Sequence, residues 1–155
     1  MKLNTLLESI SNIKEQTSGN PDVQAIAYDS RKVKPAALFV ALRGRIHNGN
    51  TFIRDAIDSG AYGIISDESV PDSQLHVPFI QVADSRQALA EVSCAFYQQP
   101  SQKLQVIGVT GTNGKTTVAY MIRDVLLAAS KIPGLIGTIN YEFGERTIPA
   151  VRTTP

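Results

Sequence analysis

The run Thr110-Gly111-Thr112-Asn113-Gly114-Lys115-Thr116-Thr117 constrains this chain more than any other segment. It follows an apolar stretch, residues 104–109, and precedes a helical pattern over residues 118–129. Strand, glycine-rich turn, Lys-Thr and helix, in that order, form the context of a phosphate-binding loop. Successive backbone N–H groups in such a turn point into one concavity and bind phosphate oxygens. Gly111 and Gly114 permit the positive φ values this needs, and the helix that follows adds the positive end of its dipole. Lys115 supplies a point charge for β- and γ-phosphates, and the Thr116 hydroxyl is a ligand for the magnesium they carry. The strict GxxxxGK[ST] spacing would put a glycine at position 109, which is Val109; the glycines present are Gly108, Gly111 and Gly114. Only residues 118–155 follow the loop, whereas a nucleotide-binding domain runs to roughly 100 residues or more. The chain is therefore expected to be the front part of an enzyme.

Composition narrows the class. Of 155 residues, 43% are hydrophobic and 19% charged, enough apolar material for a packed core and too little charge for disorder. Fifteen Lys plus Arg against fourteen Asp plus Glu leave a net charge of +1, without the basic excess of a nucleic-acid binder. Cys94 is the single cysteine, so an internal disulfide is excluded and a reducing compartment is expected. It lies in the apolar helical pattern 88–97 and reads as a small buried hydrophobe rather than a nucleophile. The N-terminal residues mix charges into every turn and lack a signal-peptide h-region, and no stretch is long enough to span a membrane. A soluble, cytoplasmic, monomeric protein with no membrane or nucleic-acid partner is expected.

The pattern along the chain is α/β. Leu3, Leu6, Leu7, Ile10 and Ile13 repeat at helical spacing. Residues 23–28 and 37–42 read as strands, joined by a polar connection over 29–35. His47-Asn48-Gly49-Asn50 is a turn cluster, followed by a helix over about 51–59 with Gly60 at its C-terminal cap. Residues 62–66 and 78–82 read as short buried strands. Asp84 and Ser85 suit the N-cap of a helix over 86–97 that Pro100 ends. Residues 100–103 form the best linker, dividing the chain into domains 1–100 and 101–155. The second contains a strand over 104–110, a helix over about 115–129, a strand over 135–139 and a hairpin fragment over 141–148 broken at Gly144-Glu145.

The segment 108–117 resembles the ATP loop of the Mur ligases, whose variant lacks the first consensus glycine. Upstream, Asp29-Ser30-Arg31, Leu38-Phe39-Val40-Ala41-Leu42 with Gly44, Asn48-Gly49 and Phe52-Ile53 resemble the N-terminal domain shared by the MurE and MurF branches. Downstream, Gly137-Thr138 and Thr153-Thr154-Pro155 resemble the MurE branch, where MurF would show an asparagine-rich segment. The resemblance covers essentially all 155 residues. It implies a small N-terminal α/β UDP-binding domain followed by the first strand–P-loop–helix–strand of a truncated, Rossmann-like ATP-binding domain.

The resemblance also implies an activity. ATP phosphorylates the D-glutamate carboxylate of UDP-N-acetylmuramoyl-L-alanyl-D-glutamate. A diamino acid, meso-diaminopimelate or lysine, then attacks the acyl phosphate. ATP and Mg2+ would be held by Gly111, Thr112, Asn113, Gly114, Lys115, Thr116 and Thr117, with Lys115 and Thr116 catalytic and Thr116 on the metal. Tyr28, Ser30, Arg45, Ile46 and His47 would contact the uridine-diphosphate end of the substrate, and Arg152, Thr153 and Thr154 its muramoyl-peptide part. Asp29 and Arg31 admit two readings, an ion pair pinning their loop or direct ligand contact. The family more often has an acidic residue where Asn48 stands. On this reading the 155 residues alone lack ligase activity; the competing readings are a stand-alone uridine-nucleotide or ATP-binding module, a MurF-type fragment and an ordinary P-loop NTPase.

Overall fold

Residues 37–41 place five apolar side chains in a row, a pattern that suits a strand covered on both faces. The computed structural model describes residues 1–44, 47–69 and 75–150, and the chain divides into two units, Met1–Leu104 and Gln105–Pro155. In the first unit, β2 (Ala25–Ala27), β3 (Ala37–Val40), β4 (Ala61–Ser66) and β5 (Phe79–Val82) pair in parallel, each beside the next in sequence. An antiparallel strand, β1 (Ile13–Gln16), closes the β5 edge, giving the order β1-β5-β4-β3-β2.

Alternation along the strands feeds two cores. Leu38, Val40, Ile65, Ile80 and Val82 face Leu3, Leu6 and Leu7 of α1 (Leu3–Leu7) and Ala88 and Val92 of α3 (Ser85–Phe96). Ala37, Phe39, Ala41, Ile64 and Phe79 face Ile53 and Ala56 of α2 (Ile53–Asp58). Helix ends follow local chemistry. The Asp84 carboxylate accepts from the N–H groups of Arg86 (2.8 Å) and Gln87 (3.1 Å) at the start of α3. Gly60, at φ +98°, ends α2 where a Cβ would approach Pro35 Cα to 3.1 Å. α2 itself is preceded by a 3-10 turn, Gly49–Phe52, so the expected helix over 51–59 begins two residues later.

Three expectations at the chain's punctuation change. The N-terminal helix stops at Leu7 and Ile13 opens β1, because Glu91 captures Ser11 from across the fold: its carboxylate accepts from Ser11 N (3.0 Å) and Oγ (2.7 Å). Pro100 does not end α3. That helix stops at Phe96, Gln98 and Gln99 turn left-handed (φ 61° and 54°), and Pro100 then starts the one-turn α4 (Pro100–Lys103). Cys94 is half-buried rather than buried.

In the second unit, α5 (Lys115–Ala128) is followed by an antiparallel meander of β6 (Gly134–Ile136), β7 (Asn140–Phe143) and β8 (Arg146–Pro149). β6 is shorter than the expected strand because Gly137 N donates to Asn140 O and turns the chain. Arg123 ties the helix to the meander, donating to Glu142 Oε2 (2.6 Å) and to Asp124 Oδ1, while its guanidinium stacks 4.5 Å from the Tyr120 ring centre. Residues 105–110 form no strand. A strand is made by its neighbours' hydrogen bonds, and none of the described residues pairs with this segment. Leu104, Val106 and Ile107 are 67%, 72% and 52% exposed, and Met121, Val125 and Ile132 are exposed as well.

Phe39→Ala in the 155-residue chain is expected to cost about 3–5 kcal/mol in denaturant unfolding of the first unit, since Phe39 is fully buried between β3 and α2. Amide hydrogen exchange is expected to protect β3 and β4 strongly and α5 weakly, because the described residues of the second unit bury only Leu135 among large apolar side chains.

Candidate functional site

Parallel pairing sends the carboxyl ends of β2 to β5 to one edge of the first sheet, where open α/β sheets hold their ligands. Beyond β2 come Tyr28, Asp29 and Ser30. A cavity of about 90 Å³ is lined by Ile26, Ala27, Tyr28, Asp29 and Lys32. Pockets for whole small molecules begin at about 300 Å³, so this one is too small for a whole nucleotide and at most ring-sized. Tyr28 is 53% exposed at its rim. Ser30 opens a 3-10 turn, Ser30–Lys32, capped by the Asp29 side chain.

Asp29 and Arg31 form a fork. Asp29 Oδ1 accepts from Arg31 N (3.1 Å) and Nε (2.9 Å), and Oδ2 accepts from Arg31 Nη2 (2.8 Å). The side-chain hydrogen bond from Arg31, supported by its backbone N–H and its charge, lowers the Asp29 carboxyl to about 2. The ion pair that one of the two readings of these residues expects is present.

Beyond β3, Gly44 N donates to His47 O and Gly49 N donates to Leu42 O, both at 2.9 Å, and His47 is exposed. At the end of β4, fully buried Ser66 donates to Asn50 Oδ1 at 2.6 Å. Beyond β5, Arg86 Nη2 donates to Arg43 O at 2.9 Å.

The second unit carries the glycine-rich loop, exposed from Thr110 to Lys115. Gly111 (φ +147°) and Gly114 (φ +75°) adopt the left-handed conformations that the phosphate-loop reading requires. No described residue accepts from the N–H groups of Thr112, Asn113 or Gly114. Lys115 is the first residue of α5, and its Nζ donates back to Gly111 O (2.6 Å) and Thr112 O (3.2 Å). Thr116 Oγ1 lies 3.3 Å from Thr138 Oγ1. The loop thus offers unpaired backbone donors, a helix N-terminus, an ammonium and a hydroxyl within one turn, a set that fits the phosphates and divalent cation of a nucleotide.

Two family models match the chain. The Mur ligase family catalytic-domain model matches residues 22–97, and the Mur ligase middle-domain model matches residues 109–155. The chain belongs to the Mur ligase family. A UDP-N-acetylmuramoyl-L-alanyl-D-glutamate--2,6-diaminopimelate ligase of Geobacillus thermodenitrificans is 43% identical over 155 residues, all of this chain and 31% of that protein. A UDP-N-acetylmuramyl-tripeptide synthetase of a Roseiflexus species is 37% identical over 146 residues, 94% of this chain and 29% of that protein. Among solved structures, a UDP-N-acetylmuramoyl-L-alanyl-D-glutamate--2,6-diaminopimelate ligase matches with a TM-score of 0.67 at 26% identity, over 86% of this chain and 27% of its own. MurF from Acinetobacter baumannii matches with a TM-score of 0.62 at 24% identity, over 81% and 27%, which shows the fold alone. The chain spans about a third of the length of the curated relatives it matches.

Within this Mur ligase chain, the residues expected to bind phosphate, Gly111 to Thr117, form one loop and helix start. Tyr28, Ser30 and His47 sit at the strand-end edge of the first unit. Arg45, Ile46, Arg152, Thr153 and Thr154 lie outside the described residues. The edge also holds polar residues that sequence reasoning passed over: Asn50, Ser66, Glu68 and Arg86. One signal for them existed, Ser66 as a polar residue closing the apolar run 63–65.

The Asp29 carboxyl has a depressed folded-state value, so its ion pair is intact above the ordinary carboxylate range and loosens as pH falls towards 2. A carbon-detected NMR titration is expected to show a midpoint near 2, and Arg31→Ala is expected to raise it towards the usual value of 3.8.

Proposed function

We propose that this chain is the substrate-gripping part of a MurE-type, ATP-dependent ligase of peptidoglycan precursor synthesis. The reaction is addition of a diamino acid to UDP-N-acetylmuramoyl-L-alanyl-D-glutamate, and the relatives' names point to 2,6-diaminopimelate as the added amino acid. One observation carries the reading: Lys115 opens α5 behind left-handed Gly111 and Gly114, in a chain matched end to end by ligases of that name.

Residues 1–100 hold the uridine-diphosphate end of the substrate, and residues 101–155 open the ATP-binding domain. At the first edge, the ring-sized cavity beside Tyr28 suits the uracil, while Ser30 and His47, with Arg45 and Ile46, contact the ribosyl diphosphate. Arg152, Thr153 and Thr154 contact the muramoyl peptide.

ATP and Mg2+ would supply an activated phosphoryl group and charge neutralisation. The chain's own contribution is placement. The N–H groups of Thr112, Asn113 and Gly114 would hold the phosphate oxygens, the Lys115 ammonium, now on the loop carbonyls, would hold the β- and γ-phosphates, and the Thr116 hydroxyl would hold the cation. Asn113 and Thr117 complete the loop's contacts. The protein acts in the cytoplasm as a monomer, without nucleic acid, and these 155 residues alone form no amide bond.

Lys115→Ala, introduced into the full-length protein, is expected to lower ATP-dependent turnover by at least about 100-fold and to leave uridine-nucleotide affinity unchanged. Steady-state phosphate release and UDP titration check the two halves. Turnover retained in that variant sinks the assignment of Lys115.

A further inference from the structure

A loop presents a ligand contact reproducibly only if its base is fixed. The loop after β3 has its base at Arg43 and Asn48, which pair as an isolated antiparallel bridge. Gly49 makes the pinch possible, since a Cβ there would lie 2.6 Å from Leu42 O and 2.7 Å from Leu42 N. Both are backbone atoms, with no flexible end to swing away.

Side chains from two other elements then fasten this base. Asn48 Oδ1 accepts from Asn50 N (3.0 Å) and from Asn50 Nδ2 (2.9 Å), which fixes its amide so that Nδ2 donates to Glu68 Oε1 (3.0 Å). Glu68 is held in turn: its N–H donates to buried Ser66 Oγ (2.9 Å), whose hydroxyl bonds Asn50 Oδ1 (2.6 Å). From the α3 side, the guanidinium of Arg86 donates to Arg43 O (2.9 Å). The two ends of one loop are thus tied to the end of β4 and the start of α3.

We propose that Asn48, Glu68 and Arg86 are positioning residues that clamp the base of this loop and so hold His47 in place for the uridine-diphosphate end of the substrate. The inference rests on the reading of this edge as the uridine-nucleotide site. It gives Asn48 a chemical reason: a carboxylate at that position would meet Glu68 at hydrogen-bond distance, two acceptors with like charge and no proton between them.

The test uses UDP as the probe, titrated by NMR into the 155-residue chain, with exchange rates of the Gly44 and Gly49 amides as a second readout. Asn48→Asp is expected to weaken UDP binding about tenfold and speed both amides. Adding Glu68→Gln restores a donor opposite the new carboxylate and is expected to bring affinity to within about threefold of the unaltered chain. Arg86→Met removes an exposed side chain and is expected to weaken binding about threefold without unfolding the first unit. Affinity unchanged in Asn48→Asp and Arg86→Met overturns the clamp, as does a loss in Asn48→Asp that Glu68→Gln fails to reverse. If Asn48→Asp does not fold, the double variant and Arg86→Met decide. Failure of the unaltered chain to bind UDP at millimolar concentration overturns the substrate reading and the positioning role with it; unaltered binding beside insensitive variants overturns the clamp alone.

Discussion

The parallel pairing of β2, β3, β4 and β5 in sequence order is the constraint on which the first unit depends. Each strand must return to the same end before the next begins, so every outgoing loop emerges at one edge. Both sheet faces must then be covered, by α1 and α3 on one side and α2 on the other, which removes the faces as binding surfaces. Polar side chains therefore collect at the strand ends. Tyr28 to Ser30, Arg43 with His47 to Asn50, Ser66 to Glu68 and Asp84 to Arg86 lie at the ends of four successive strands on the same edge, though they are spread over about sixty residues of sequence.

The second unit shows what happens to the same kind of pattern without that pairing. The stretch 104–109 is mostly apolar, with Leu104, Val106, Ile107 and Val109, yet β3 has neighbours on both sides and this stretch has none among the described residues. Burial then fails along with pairing, and Val106 and Ile107 stay in water. The glycine-rich loop beside it keeps its shape because its determinants are local. Two glycines set φ, and one helix supplies the dipole; neither needs a partner strand.

Legibility in the sequence divides along the same line. Features set within a few residues were readable: the Asp84 cap of α3, the Gly60 stop of α2, the hairpin broken at Gly144 and the glycine loop before Lys115. Features set by distant contacts were not. Ile13 continues a helical spacing but belongs to β1 because Glu91, about eighty residues away, holds Ser11. Pro100 looked like a helix stop, but left-handed Gln98 and Gln99 end α3 first, a backbone choice that glutamine does not advertise. At the strand-end edge, Asp29 and Arg31 are two residues apart and their fork was foreseeable. The tie from Asn48 to Glu68 spans twenty residues and two elements, and the tie from Arg86 to Arg43 spans forty-three.

Local determination also shapes how the loop would meet a phosphate. Gly111 and Gly114 already occupy the left-handed region, so little backbone rearrangement is needed to align the N–H groups. The Lys115 ammonium, by contrast, bonds to the carbonyls of Gly111 and Thr112, and an incoming phosphate oxygen must compete with both. What the lysine contributes to affinity is the difference between two neutral acceptors and one charged acceptor. Every hydrogen bond of the ammonium is charge-assisted already; a phosphate oxygen adds the Coulomb attraction that a neutral carbonyl lacks, which favours the anion and increasingly so for more negatively charged phosphates.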